Sequence, residues 1–162
     1  MDIDKKTVLV AVIKELERQK QQQEETFQTA RQTAAEAPGA MQSHSDTTKF
    51  QMSLLADKIQ ESITQKEKTI HTLKTLLESF GEEHHETIRV GSLITVQKQD
   101  GRHDYYFILP EAGGIEVQES GKAILTITST APLANALMGR KSGDRAQLQF
   151  AEGEEITVLD VL

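Results

Sequence analysis

The chain has 162 residues, enough for one domain of ordinary size or two small ones. It contains no cysteine, no tryptophan, five Phe and two Tyr, and carries a formal net charge of −7. Disulfide and thiolate chemistry are excluded, and aromatic stacking on single-stranded nucleic acid or free binding to DNA phosphates is not expected.

The charge is uneven. Residues 1–80 hold 11 Lys/Arg and 12 Asp/Glu, a net of −1, whereas residues 81–162 hold 7 and 13, a net of −6. An acidic C-terminal half points to basic partners, in practice protein surfaces. The N-terminus, MDIDKKTVLVAVIKELERQ, has a short apolar run with acidic flanks and no small-residue cleavage site. No segment approaches membrane-spanning length, so the expected location is the cytoplasm.

Residues 4–80 contain one Gly and one Pro, adjacent at Pro38-Gly39, and are rich in Gln, Glu, Lys and Leu. Leu9, Ile13, Leu16, Lys20, Gln23, Phe27, Ala30, Ala34 and Ala37 recur at alternating steps of four and three. Leu55, Ile59, Ile63, Lys66, Ile70, Leu73, Leu77 and Phe80 do the same apart from one doubled step of four. Such seams predict a coiled coil. Facing residues of an antiparallel hairpin have numbers with a constant sum. Leu9–Leu77, Ile13–Leu73, Leu16–Ile70, Lys20–Lys66, Gln23–Ile63 and Phe27–Ile59 all add to 86. The chain then folds back at residue 43. A register one heptad tighter turns at Pro38-Gly39 but sets Ile13 against Lys66. On pattern alone, a generic hairpin used for dimerisation remains open.

The connector, EAPGAMQSHSDTTKF, has a tip at about 38–48. Thr48 with Gln51 has capping-box spacing for the second helix, and Ser43 with Asp46 has the same spacing. Capping alone asks for fewer polar residues than this stretch supplies. Ser43, His44, Ser45 and Asp46 are therefore the candidate working residues, with capping as the competing reading for Asp46.

Past Gly81 the grammar changes. IRVGSLITVQ, YYFIL, AILTIT, RAQLQF and EITVLDVL read as strands separated by turns. APLANALMG has helical spacing at Leu133, Ala136 and Leu137, with Gly139 closing it. The fold class is α+β: a hairpin over 1–80, a linker over 81–87, and a small, mostly antiparallel β domain with one short helix over 88–162. EEHHE at 82–86 reads as a solvated hinge, because adjacent histidines on a regular element cannot face one ion. Arg140, Lys141 and Arg145 form a basic spot in an acidic domain.

ILTITSTAPLANALMGRKSGD, residues 124–144, resembles the C-terminal domain of the bacterial Gre transcript-cleavage factors. The Ala-Pro variant also looks like a related nucleoside-kinase regulator. Gly91-Ser92 and the closing GEEITVLDVL fit the same pattern. A coiled coil followed by an FK506-binding-protein-like domain is the Gre architecture.

The resemblance implies binding to core RNA polymerase at the rim of its secondary channel, with Pro132, Leu133, Leu137, Gly139 and Arg140 in or beside the contact. The hairpin tip then reaches the polymerase's catalytic magnesium, and the factor is not itself an enzyme. Laid on the family's tip, SHSDTTKF puts Ser45 on a Ser, Asp46 on a Glu and Phe50 on a Tyr. Ser43 falls where the family has its first acid, which leaves Asp46 as the single carboxylate for metal. His44 is a poor magnesium ligand but can exchange a proton near neutral pH. The implied function is a Gre-type elongation factor that stimulates RNA cleavage. The alternatives are a channel occupant or nucleoside-kinase-regulator-like protein without cleavage activity, or a general interaction module. A prolyl isomerase wants an aromatic-lined pocket that this composition does not favour.

Overall fold

A computed structural model of the chain describes residues 3–36, 43–81, 86–148 and 154–162, without the side chains of 34 and 43–49. Backbone contacts divide it into two compact units, residues 1–13 with 72–162 and residues 14–71. None of the described helices is long and apolar enough to cross a membrane.

Two long helices come first, α1 (Lys5–Glu36) and α2 (Ser43–Ser79). Asp4 caps α1: its carboxylate accepts bonds from the Thr7 amide at 2.9 Å and the Lys6 amide at 3.3 Å. Two of the four amides that a helix start leaves unpaired are thereby satisfied.

Within residues 14–71, α1 turns Leu16, Lys20, Gln23, Phe27 and Ala30 inward, and all are buried or half-buried. From α2 come Met52, Ala56, Ile59, Ile63, Lys66 and Ile70, again at alternating steps of four and three. Leu55, expected in this seam, is instead 43% exposed and Ala56 takes its place. The doubled step of four was the mark of that error: a seam that drifts by one residue leaves the helix face. The seam is polar midway. Lys20 Nζ meets the Glu67 carboxylate at 3.2 Å, and the Gln23 amide donates to Ser62 Oγ at 3.0 Å. These pairs add to 87 and 85, on either side of the expected 86. Lys20 therefore has Glu67 and, at 3.3 Å along its own helix, Glu24 as partners, rather than a bare opposition to Lys66.

The connector differs from expectation at its far end. The helical backbone already begins at Ser43, so Thr48 lies inside α2 and cannot be its N-cap. A capping residue needs non-helical backbone angles.

The other unit is built on one six-stranded sheet. Its strands are β1 (Leu93–Lys98), β2 (His103–Leu109), β3 (Glu116–Glu119), β4 (Lys122–Thr128), β5 (Arg145–Leu148) and β6 (Glu154–Val161). Their order is β3-β4-β2-β1-β6-β5, antiparallel throughout except for the parallel pair β2–β4. Strand β3 was not expected from the sequence. It makes a hairpin with β4 through Ser120 (φ 51°) and Gly121 (φ 73°), the two positive angles of a tight primed turn.

The short helix α3 (Pro132–Leu137) crosses one sheet face. There Ala134 and Leu137 join Ile94, Val96, Ile108, Ala146 and Ile156 in the core. Leu93 of β1 and Phe107 and Leu109 of β2, which alternate with Ile94 and Ile108, are also fully buried. Phe80, just past α2, meets Phe107 with ring centroids 6.4 Å apart. Gly91 (φ 87°) lets it in, since a Cβ there would lie 3.2 Å from Phe80 Cε1.

Candidate functional site

The end of α3 borders a surface concavity. Pro132 opens the helix at a position where its missing amide costs nothing. Gly139 (φ 78°) then reverses the chain, and its amide bonds the Ile88 carbonyl at 2.8 Å while Ile88 bonds back to Arg140. The Arg140 guanidinium donates to the Ala136 carbonyl and to the Arg145 carbonyl, both at 2.6 Å. One side chain thus satisfies a carbonyl that the helix end leaves free and clamps α3 to the start of β5.

Beside this clamp lies a cleft of about 900 Å³ lined by Pro132, Asn135, Met138, Arg140, Asp144 and Gln147, among others. The cleft mixes an exposed thioether, an amide pair and both charge signs. Met138 is 38% exposed, unusual for a methionine beside a packed core.

The sequence-expected contact residues separate by depth. Pro132 and Gly139 are exposed and Arg140 is half-buried. Leu133 is partly buried against the core, and Leu137 is fully buried, so it supports the surface from beneath. The basic spot is partly neutralised: Lys141 Nζ lies 3.4 Å from Glu86, and Arg145 lies 3.7 Å from Glu155. Asn135, Met138 and Gln147 were missed by the sequence reading. The signal available for Met138 was its place beside a chain-reversing glycine, outside the buried helical stripe.

The second candidate is the end of the hairpin. Ser43, His44, Ser45 and Asp46 form the first turn of α2 by backbone, and their side chains lie outside the described residues. The earlier connector, including Pro38-Gly39, lies outside them too, as does most of the EEHHE segment. Next to this turn α2 is unusually apolar on its outer surface. Phe50 is 71% exposed, and Leu54, four residues on and so on the same helix face, is 45% exposed.

Along the chain, two long helices are followed by a mixed β-sheet domain. Residues 83–162 match the family described as "Transcription elongation factor, GreA/GreB, C-term", a range that takes in the whole α3 cleft. Residues 83–162, 80 of the chain's 162, belong to the GreA/GreB C-terminal family.

Among solved structures, GreA factor homolog 1 (Gfh1) of Thermus thermophilus is 20% identical, with 94% of this chain and 95% of that one aligned at a TM-score of 0.38. Gfh1 of Thermus aquaticus is 22% identical over 93% and 94% of the two chains, at 0.39. A GreA/GreB elongation factor from Nitrosomonas europaea is 18% identical over 57% and 78%, at 0.36. No curated protein matches the chain.

Proposed function

We propose that this protein acts on RNA polymerase as a Gre-type elongation factor. The α3 cleft docks at the rim of the secondary channel, and the end of the helical hairpin is the part that enters it. The carrying observation is the family match over residues 83–162, which contains every cleft residue named above. Phe50 and Leu54, two large apolar side chains exposed four residues apart on α2, support a hairpin end that meets a partner.

At the hairpin end Asp46 is the group suited to the polymerase's magnesium, which takes oxygen ligands and commonly one or two protein carboxylates. The hydrolytic chemistry belongs to the polymerase, with this chain contributing charge and position. A second reading rests on Ser43, where the resembled family carries an acid. With one carboxylate in place of two, the protein occupies the channel and regulates elongation without strong cleavage.

Cleavage of RNA in backtracked elongation complexes tests both readings. Under the first, Asp46→Asn removes the stimulation because a neutral amide is a far poorer magnesium ligand, and Ser43→Asp increases it. Wild type, Asp46→Asn and Ser43→Asp all giving the polymerase's intrinsic rate would establish the second.

A further inference from the structure

The cleft beside α3 has two walls. Asn135, Ala136 and Met138 form one at the end of the helix, and Asp144 and Gln147 form the other at and just before the start of β5. Asn135, Met138, Asp144 and Gln147 are exposed, whereas Arg140 lies between the walls and is half-buried.

The Arg140 guanidinium bridges the walls. Its Nε donates to the Ala136 carbonyl on one side and its Nη1 to the Arg145 carbonyl on the other, both at 2.6 Å. These are charge-assisted bonds, the strong kind. Asp144 lines the same cleft, yet among the described residues Arg140 makes no ion pair with it. That carboxylate accepts from the Lys141 amide at 2.8 Å instead. No direct hydrogen bond joins α3 to β5 among the described residues, so this side chain is their polar tie. Its own backbone is fixed as well: the amide donates to the Leu137 carbonyl at 3.0 Å, and the carbonyl accepts from the Ile88 amide at 2.8 Å. A rigid planar group held at both ends sets the separation of what it joins.

We infer that Arg140 is the positioning residue of this cleft. It spaces the Met138 wall from the Gln147 wall for the docking partner, and it does not itself pair with a partner carboxylate. The inference rests on the docking reading above. Charge and position make opposite predictions for Arg140→Lys. A lysine keeps the charge but carries its donors on one nitrogen of a flexible stem, so it cannot reproduce the bridge.

Two measurements on the full-length protein test this. The first is the dissociation constant for core RNA polymerase of wild type, Arg140→Lys and Arg140→Gln, below their melting temperatures. Both variants should bind about tenfold or more weaker than wild type. The second is hydrogen exchange of the free protein. In Arg140→Lys the Asn135 and Met138 amides, bonded to the Ala131 and Ala134 carbonyls, should exchange faster, while the Leu93 and Ile108 amides of the sheet stay unchanged. If Arg140→Gln does not fold, Arg140→Lys decides alone. Wild-type affinity in Arg140→Lys would make Arg140 a charge contact and overturn the inference, and so would unchanged exchange at Asn135 and Met138. A wild type that does not bind polymerase would refute the docking reading itself, and the exchange measurement, which needs no polymerase, would still decide whether Arg140 holds the walls.

Discussion

Gln23 of α1 and Ser62 of α2 share a hydrogen bond of 3.0 Å across the helix pair, part of the polar stretch midway along the seam. With Lys20–Glu67 beside it, the bond fixes the antiparallel register. A neutral bond of this kind contributes about 0.5–1.5 kcal/mol net, but a half-buried amide left without it pays its desolvation in full. Gln23→Ala and Ser62→Ala should each lower stability. The double-mutant cycle should retain a coupling of ~0.5 kcal/mol or more, since additivity fails for residues in contact. Thermal denaturation followed by circular dichroism gives the cycle, and a coupling of zero would mean that another register is populated.

Adjacent residues 112 and 113 should respond in opposite directions. Ala112 sits at φ 65°, where a Cβ is strained, and its carbonyl accepts a bond from the Thr126 hydroxyl that anchors the loop. Ala112→Gly should stabilise by roughly 0.5–1 kcal/mol, the relief of strain exceeding the added unfolded-state entropy. At Gly113 a Cβ would lie 3.0 Å from the Thr128 backbone nitrogen, so Gly113→Ala should destabilise. Urea titrations of the two variants check the pair of signs.

Gly91 and Gly101 separate strain from crowding. Both hold positive φ, 87° and 84°, but only at Gly91 would a Cβ meet a neighbour, the Phe80 ring at 3.2 Å. Gly101→Ala should cost about 1 kcal/mol or slightly more, the ordinary penalty of a left-handed residue. Gly91→Ala should cost clearly more and disturb Phe80. Equal losses in chemical denaturation would show that the ring moves aside freely.

Lys98, Asp104 and Tyr106 form a chain across β1 and β2: Lys98 Nζ lies 2.7 Å from the Asp104 carboxylate, which accepts from the Tyr106 hydroxyl at 2.9 Å. Burial opposes ionisation of Asp104, but the bonds from Lys98 and Tyr106 prevail and hold its carboxyl below the usual range. Burial, then the bond to Asp104, pushes the Tyr106 phenol well above its usual range. A depressed carboxyl stabilises the fold above the unfolded carboxylate value, about pH 4, and that contribution disappears as pH falls through the folded value. A raised phenol stabilises below the unfolded tyrosine value, about pH 10, and that contribution is lost above it. Asp104→Asn should therefore lower the melting temperature at pH 7 and make less difference near pH 2. Tyr106→Phe should flatten the loss of stability above pH 10. Variants that shift all pH values equally would contradict this.

Much of this was legible in the sequence because periodicity is a physical signal. The seam through Leu16, Phe27, Ile63 and Ile70 shows as steps of three and four, and the strands around Ile94, Ile108 and Ile127 as β-branched runs. The seam failed at Leu55 because side-chain size outweighed spacing in the choice between neighbours. Strand β3 does not show as a strand in the sequence because its four residues, Glu116–Glu119, include a single apolar side chain, and the Ser120-Gly121 turn pins it only once β4 lies beside it. The cleft at Arg140 was legible only as a motif. That its guanidinium would clamp two carbonyls depends on chain segments brought together by folding.

Binding to core RNA polymerase, measured as the equilibrium dissociation constant of the fluorescently labelled full-length protein, tests the central claim most directly. Met138 lies on the cleft, exposed and outside the core cluster, so Met138→Glu should leave the fold intact while placing a carboxylate that must be desolvated on docking. Saturable binding by wild type, weakened about tenfold or more by Met138→Glu at an unchanged melting temperature, is the predicted result. No saturable binding by wild type, or equal binding by the two proteins, would contradict it.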